Sequence, residues 1–225
     1  MKRFVVYMAG LTIAAAGFAG MTFEDIDFWV GQGTQRAALV IDWNDGPNEL
    51  VKVWGFRWDG TATGADLVLA VCAADADFYA MGGSGPYGFA IGGLGYDKNG
   101  NNILRNGFFD ISRTASASNF DSSGYMAVAG YAFDGWSAAE SGDVWCGGWE
   151  TDGFWGYFYN EAGVWISSMI GASSRVLADG DWDGWSWGAA QNGWYGGAPS
   201  ASVAVPEPTA AVLLAIGLLF VSNRK

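Results

Sequence analysis

The clearest regularity in the chain is a period of two. Between Ala37 and Trp43, the residues Leu39, Ile41 and Trp43 alternate with Ala38, Val40 and Asp42, and both sets are largely apolar. A strand that is apolar on both faces expects cover on each side. After the turn chemistry of Asn44-Asp45-Gly46-Pro47-Asn48 the same period resumes from Leu50 to Trp58. There Trp54, Phe56 and Trp58 share one face, while Val51, Val53, Gly55 and Arg57 share the other. The two stretches predict a hairpin, preceded by a short strand at Phe28–Val30.

The period then changes. Over Ala65–Ala76 the residues Leu67, Ala70, Val71 and Ala74 recur at i, i+3, i+4 and i+7, which predicts the principal helix at about 65–76. Thr63 or Asp59 supplies its cap, and Cys72 lies beside its apolar stripe. Glycine dominates 78–102, where alternation predicts only a short strand at Tyr87–Ile91. Strands follow near Phe108–Ile111 and Tyr125–Phe133. The signal sharpens again in Phe154–Tyr159, the turn Asn160–Gly163, the return Val164–Met169 and a last strand Trp182–Trp187. In that last strand Trp185 and Trp187 share a face that Trp182 opposes, so one face is expected in the core and the other in solvent. The fold class expected is α+β, mainly β, with an aromatic-rich β-sandwich as the alternative.

Both ends depart from this patterning. Met1-Lys2-Arg3 precedes an apolar run from Phe4 to Ala16, with small residues at Ala14–Gly17 and again at Ala19-Gly20. That predicts a signal peptide over 1–20, cleaved near Ala19 or Gly20. An uncleaved anchor is the alternative, and the polar Glu24-Asp25 that follows argues against it. At the other end stand Pro206-Glu207-Pro208, the apolar run 210–222, and Asn223-Arg224-Lys225. As a helix the run rises about 1.5 Å per residue and falls short of the roughly 20 residues a bilayer wants. It therefore suits transient insertion, with Arg224 and Lys225 on the cytoplasmic side. The prolines hold Glu207 on an extended backbone just outside it.

The order Pro-Glu-Pro, apolar run, basic end resembles the PEP-CTERM sorting signal of bacteria. The resemblance implies recognition by an exosortase-type enzyme and cutting near Pro206, Glu207 and Pro208. A tail anchor behind a Pro-rich linker is the alternative. Residues 21–200 would then be one exported domain and 201–225 the sorting tail, placing the protein in the cell envelope, at the outer surface or in the extracellular matrix.

Composition narrows the function. The chain carries 11 Lys+Arg against 23 Asp+Glu, a net charge of −12, so nucleic acid and anionic lipid are poor partners. It contains no His, which removes Ser-His-Asp and Cys-His chemistry and the usual zinc sites. In an oxidising compartment Cys72 and Cys146 predict one disulfide, two buried thiols being the alternative. The 13 Trp, 9 Tyr, 14 Phe and 35 Gly fit short strands and tight turns, and aromatics serve extracellular binding faces as readily as cores.

Trp155, Tyr157 and Asn160 fall on a W-x-Y-x-x-N pattern. Leu177, Asp179, Gly180, Asp181 and Trp185 fall on L-x-D-G-D-x-x-x-W. Together with the hairpin and single helix these motifs, over 37–95 and 145–187, resemble the transcobalamin C-terminal-like domain. The resemblance implies a β-grasp-like sheet with one principal helix and an extracellular small-ligand-binding module, corrinoids being one ligand of relatives. Candidate contacts are Trp155, Tyr157, Tyr159, Asn160 and Trp185, stacking on a corrinoid or a glycan.

Asp179, Asp181 and Asp183 match the opening D-x-D-x-D-G of a calcium loop, although its twelfth position is Ala190; a turn into the last strand explains the same acids. No other cofactor is expected. Two carboxylates would suffice for a carbohydrate-active enzyme, but Glu24, Glu49, Glu140, Glu150 and Glu161 sit in no recognisable catalytic setting. The expectation is an exported, non-catalytic protein with a structural or adhesive role, possessing no catalytic residues and having matrix polysaccharide as a candidate partner. A ligand-binding module and a carbohydrate-active enzyme are the alternatives.

Overall fold

The alternating stretches form the hairpin the sequence predicts: β2, Gln35–Asp42, pairs antiparallel with β3, Val51–Trp58. The structure, a computed structural model, describes residues 20–44, 50–106, 109–112, 120–135, 142–189 and 197–204. The signal-peptide stretch 1–19 and the tail from 205, with Pro206, Glu207, Pro208, Arg224, Lys225 and the apolar run 210–222, lie outside the described residues. Among the described residues no helix is long and apolar enough to cross a membrane.

A short β1, Trp29–Gly31, lies parallel to β3. Its Trp29 ring lies where a Cβ on Gly55 would stand, so glycine is what lets the ring approach the β3 backbone. The helix α1, Gly64–Ala74, follows. Thr63, not Asp59, is its N-cap: the Thr63 Oγ1 accepts from Asp66 N at 3.2 Å and Asp66 Oδ2 accepts from Thr63 N at 2.8 Å. Asp59 instead accepts from Thr34 N at 3.0 Å. The helix ends two residues before the expected Ala76. Asp75 is extended there, its carboxylate accepting from Trp54 Nε1 at 2.8 Å and from Asp77 N at 3.0 Å.

The chain completes this first sheet much later, with β10, Gly153–Glu161, β11, Val164–Ser167, and β12, Trp182–Ala189. The order is β1-β3-β2-β12-β10-β11, with β12 parallel to β2 and antiparallel to β10. A hairpin, a helix, and a second pair whose last strand lies parallel to the first strand of the hairpin constitute the β-grasp arrangement.

Between α1 and β10 the chain builds a second sheet. The glycine-rich stretch is not one short strand at Tyr87–Ile91 but a full hairpin, β4, Phe78–Gly85, with β5, Gly88–Tyr96. Strand β6, Ile103–Asn106, pairs with β7, Phe109–Ser112, apart from it. Strand β8, Tyr125–Ala129, adds parallel to β4, and β9, Val144–Gly147, antiparallel to β5. The expected strand to Phe133 stops at Ala129 because Gly130 turns into positive φ, 61°. Phe133 then lies against Gly92, whose missing Cβ leaves room for the ring.

Period-two alternation divides the side chains among three cores. Leu39, Ile41, Trp43, Trp54, Phe56 and Trp58 meet Leu67, Val68 and Val71 of the helix and Phe78, Ala80 and Leu94 of the second sheet. Tyr79, Met81 and Trp145 face the other way, under Phe120 and Phe133. Ala38, Val40 and Trp182 lie beneath Ile26 and Val203. The faces of Trp182, Trp185 and Trp187 divide as expected, but all three are buried, because residues 21–29 and 199–203 cover the outer face of the first sheet. Trp43 ties the sheets together, its Nε1 donating to Leu94 O at 3.0 Å.

The expected disulfide does not form. Cys72 and Cys146 are buried thiols in the same core, Cys72 Sγ donating to Phe78 O at 3.6 Å and Cys146 Sγ to Trp43 O at 4.0 Å. The two sulfurs point at different carbonyls, those of Phe78 and Trp43.

Candidate functional site: an aromatic groove

The ladder between β10 and β11 is short. It covers Phe158–Glu161, and one more bond, Ser168 N to Tyr157 O at 2.8 Å, ends it. The chain then bends at Met169 and Ile170, where Ser168 Oγ donates to Ile170 O at 2.7 Å. Alongside the first half of β10, where a longer β11 would have run, a groove of about 320 Å³ opens between the two sheets. That volume is at the lower end of the range of small-molecule sites, about 300–1,000 Å³.

Nine of its twenty lining residues are aromatic, and none of those twenty is charged. Trp155, Tyr157 and Trp185 come from the first sheet, and Phe89 and Ile91 from β5. One wall is a stack of rings from three separate segments. Tyr87 and Tyr131 lie parallel within 8° with centroids 6.3 Å apart, and Tyr131 meets Trp149 at 4.3 Å. The mouth is exposed apolar surface: Tyr87 is 85% exposed, Met169 95% and Ile170 53%.

Polar contacts brace this wall. Tyr131 Oη accepts from Tyr87 N at 2.9 Å and donates to Gly88 O at 2.9 Å, so it holds the tip of the β4–β5 hairpin. Behind Trp149, the Asp134 carboxylate accepts from four successive backbone N–H groups, those of Trp149, Glu150, Thr151 and Asp152, at 2.9 to 3.3 Å. Partial burial works against the charge, but those four donors win and hold the carboxyl down at about 2.

The floor rests on a buried ion pair. Asp183 accepts from Tyr157 Oη and from Arg175 Nε, the latter at 2.8 Å, while Arg175 Nη2 reaches Asp181 Oδ2 at 2.9 Å. Burial pushes the Asp183 carboxyl up, against the pull of Tyr157 and Arg175. Burial and then the Asp183 charge push the Tyr157 hydroxyl far above the ordinary tyrosine range. Burial also opposes the Arg175 charge, but Asp183 outweighs it and the guanidinium pKa rises.

Of the five contacts expected from sequence, Trp155, Tyr157 and Trp185 line the groove, and Tyr159 and Asn160 do not. The Arg175 guanidinium lies 4.8 Å above the Tyr159 ring, and Asn160 Oδ1 accepts from Gly163 N at 3.0 Å in the hairpin turn. Ala162 and Gly163 supply the two positive-φ positions such a turn needs. The three candidate calcium ligands meet protein partners. Asp179 Oδ1 accepts from Arg36 N at 2.8 Å, Asp181 and Asp183 face Arg175, and among the described residues no three acids converge. Tyr87, Tyr131, Trp149, Met169 and Ile170 escaped the sequence reading. Only Tyr87 carried a local signal, an aromatic ring at a Pro-led turn.

The fold is thus a mainly β, α+β body with an uncharged aromatic groove between its sheets. Comparison with protein-family models, with curated proteins and with solved structures finds no match to this chain.

Proposed function

We propose that this is an exported protein of the cell envelope or extracellular matrix whose body is a non-catalytic binding module. The observation that carries the binding role is the groove: aromatic, uncharged and apolar-mouthed, set into an acidic protein. A structural or adhesive role alone needs only acidity, glycines and a sorting tail, and does not call for such a site. Glycoside hydrolysis needs two carboxylates across the substrate, and no Asp or Glu is among the described residues of the lining.

The export reading draws support from where the body begins and ends. Met21 and Val203 form a parallel bridge, with Met21 N donating to Ser202 O at 2.8 Å and Ala204 N to Met21 O at 2.9 Å. The described body therefore begins and ends at neighbouring residues, close to the expected signal-peptide junction and to the start of the Pro-Glu-Pro tail. One exosortase-type enzyme and one signal peptidase would act at the same edge of a folded body.

The test is the intact mass of the protein recovered from its native envelope. Loss of residues 1 to about 20 and of everything beyond Pro206-Glu207-Pro208 is the expected result. Retention of Arg224-Lys225 would sink the sorting reading and leave a membrane-anchored binding module.

A further inference from the structure

Half of the groove's eight polar side chains are turned inward. Four of the lining's polar side chains have their hydrogens engaged inside the protein: Tyr131 on Gly88 O, Ser168 on Ile170 O, Trp155 Nε1 on Cys146 O at 3.0 Å, and Tyr157 on Asp183. The Tyr157 bond is the firmest of these, since its acceptor is a buried carboxylate held by Arg175.

We infer that the groove takes an uncharged, hydrocarbon-rich small molecule, a fused ring system or an acyl-type chain, and not a sugar; this rests on the binding-module reading above. A polyol leaving water needs a partner for each hydroxyl, and here nine of the twenty lining residues are aromatic and four of the eight polar side chains are already engaged. Sugar sites offer open ring faces, but the face of Trp149 is already taken by Tyr131 at 4.3 Å. The lining is uncharged while the chain carries −12, so charge complementarity favours a neutral ligand and repels an anion. The mouth agrees, because Tyr87, Met169 and Ile170 put apolar surface into water that a hydrocarbon ligand would cover.

The experiment titrates the mature protein with Nile red, an uncharged flat dye, followed by its fluorescence. An uncharged monoacylglycerol and a neutral hexasaccharide then serve as competitors. One saturable dye site is expected, undisturbed by the hexasaccharide. Ile170→Asp, at an exposed rim position, weakens it by about tenfold or more with the far-UV spectrum unchanged. Displacement by the monoacylglycerol assigns a chain ligand, and dye binding that it leaves intact assigns a ring ligand; either supports the inference. Hexasaccharide binding that Ile170→Asp abolishes would overturn the ligand class and leave the binding module standing. Dye binding indifferent to Ile170→Asp overturns the inference, and a wild-type protein that binds neither dye nor sugar overturns both readings.

Discussion

The carboxylates of Asp134 and Asp152 cross-brace two loops behind the groove wall. The Asp134 Oδ1 accepts from Asp152 N at 2.9 Å, while Asp152 Oδ2 accepts from the N–H of Gly135 at 2.6 Å. Between them the loop 149–152 wraps its N–H groups around one carboxylate, and Trp149 is thereby held against Tyr131.

Removing that carboxylate strands several donors at once. Asp134→Ala is expected to lose about 1–3 kcal/mol in urea unfolding, with Asp134→Asn recovering part. The pH dependence has a definite sign. The folded carboxyl sits at about 2, below the ordinary 3.8, so its contribution is complete above 3.8 and is lost as pH falls toward about 2. Urea midpoints between neutral and acid pH should fall less steeply in Asp134→Ala than in the wild type.

Arg175 opposes the burial that raises the Asp183 carboxyl. Arg175→Ala leaves Asp183 without its cation and is expected to cost about 3–5 kcal/mol by denaturant unfolding. Because burial raises the Asp183 carboxyl, its contribution favours the fold at low pH and declines as pH rises from 3.8 through the raised value. Without Arg175 that decline should continue to higher pH, a signature that mere loss of packing would not produce.

Alkaline stability should report the tyrosines. Tyr157, Tyr96 and Tyr125 all have raised hydroxyls, burial being the first cause in each. The unfolded chain ionises first, so stability falls as pH climbs beyond 10. Melting temperatures followed with tyrosinate absorbance should show this fall, and it should be shallower in Tyr157→Phe.

The two thiols give a chemical prediction. Denatured without reductant, the protein should take up two alkyl groups from iodoacetamide, one each at Cys72 and Cys146, and its mass should not change on reduction. Native protein should react slowly, since both sulfurs are buried.

Much of the first sheet was legible in the sequence because a period of two names the face of every residue once the strand is placed. The divisions Leu39/Ile41 against Ala38/Val40, and Trp185/Trp187 against Trp182, hold in the structure. The helix start was legible from Thr63. Its end was not, because Asp75 leaves the helix to meet Trp54, a partner on another strand. The glycine-rich hairpin gave no strong signal. Its glycines make room for neighbours such as Phe133 on Gly92, and the side chains that would reveal a period are missing there.

By itself the sequence determined the faces of β2, β3 and β12, the helix α1, and which of the groove's residues belong to β10 and β12. Local periodicity is a property of one segment, so it survives without knowledge of the others. Only the tertiary structure decided that the face of Trp182 is covered as well as that of Trp185 and Trp187, that Cys72 and Cys146 remain thiols, and that a groove exists at all. Its wall joins Tyr87, Tyr131 and Trp149 from three distant segments, and its space is the gap where β11 stops short of the first half of β10. A gap between elements is fixed by packing distances, which no single stretch of chain encodes.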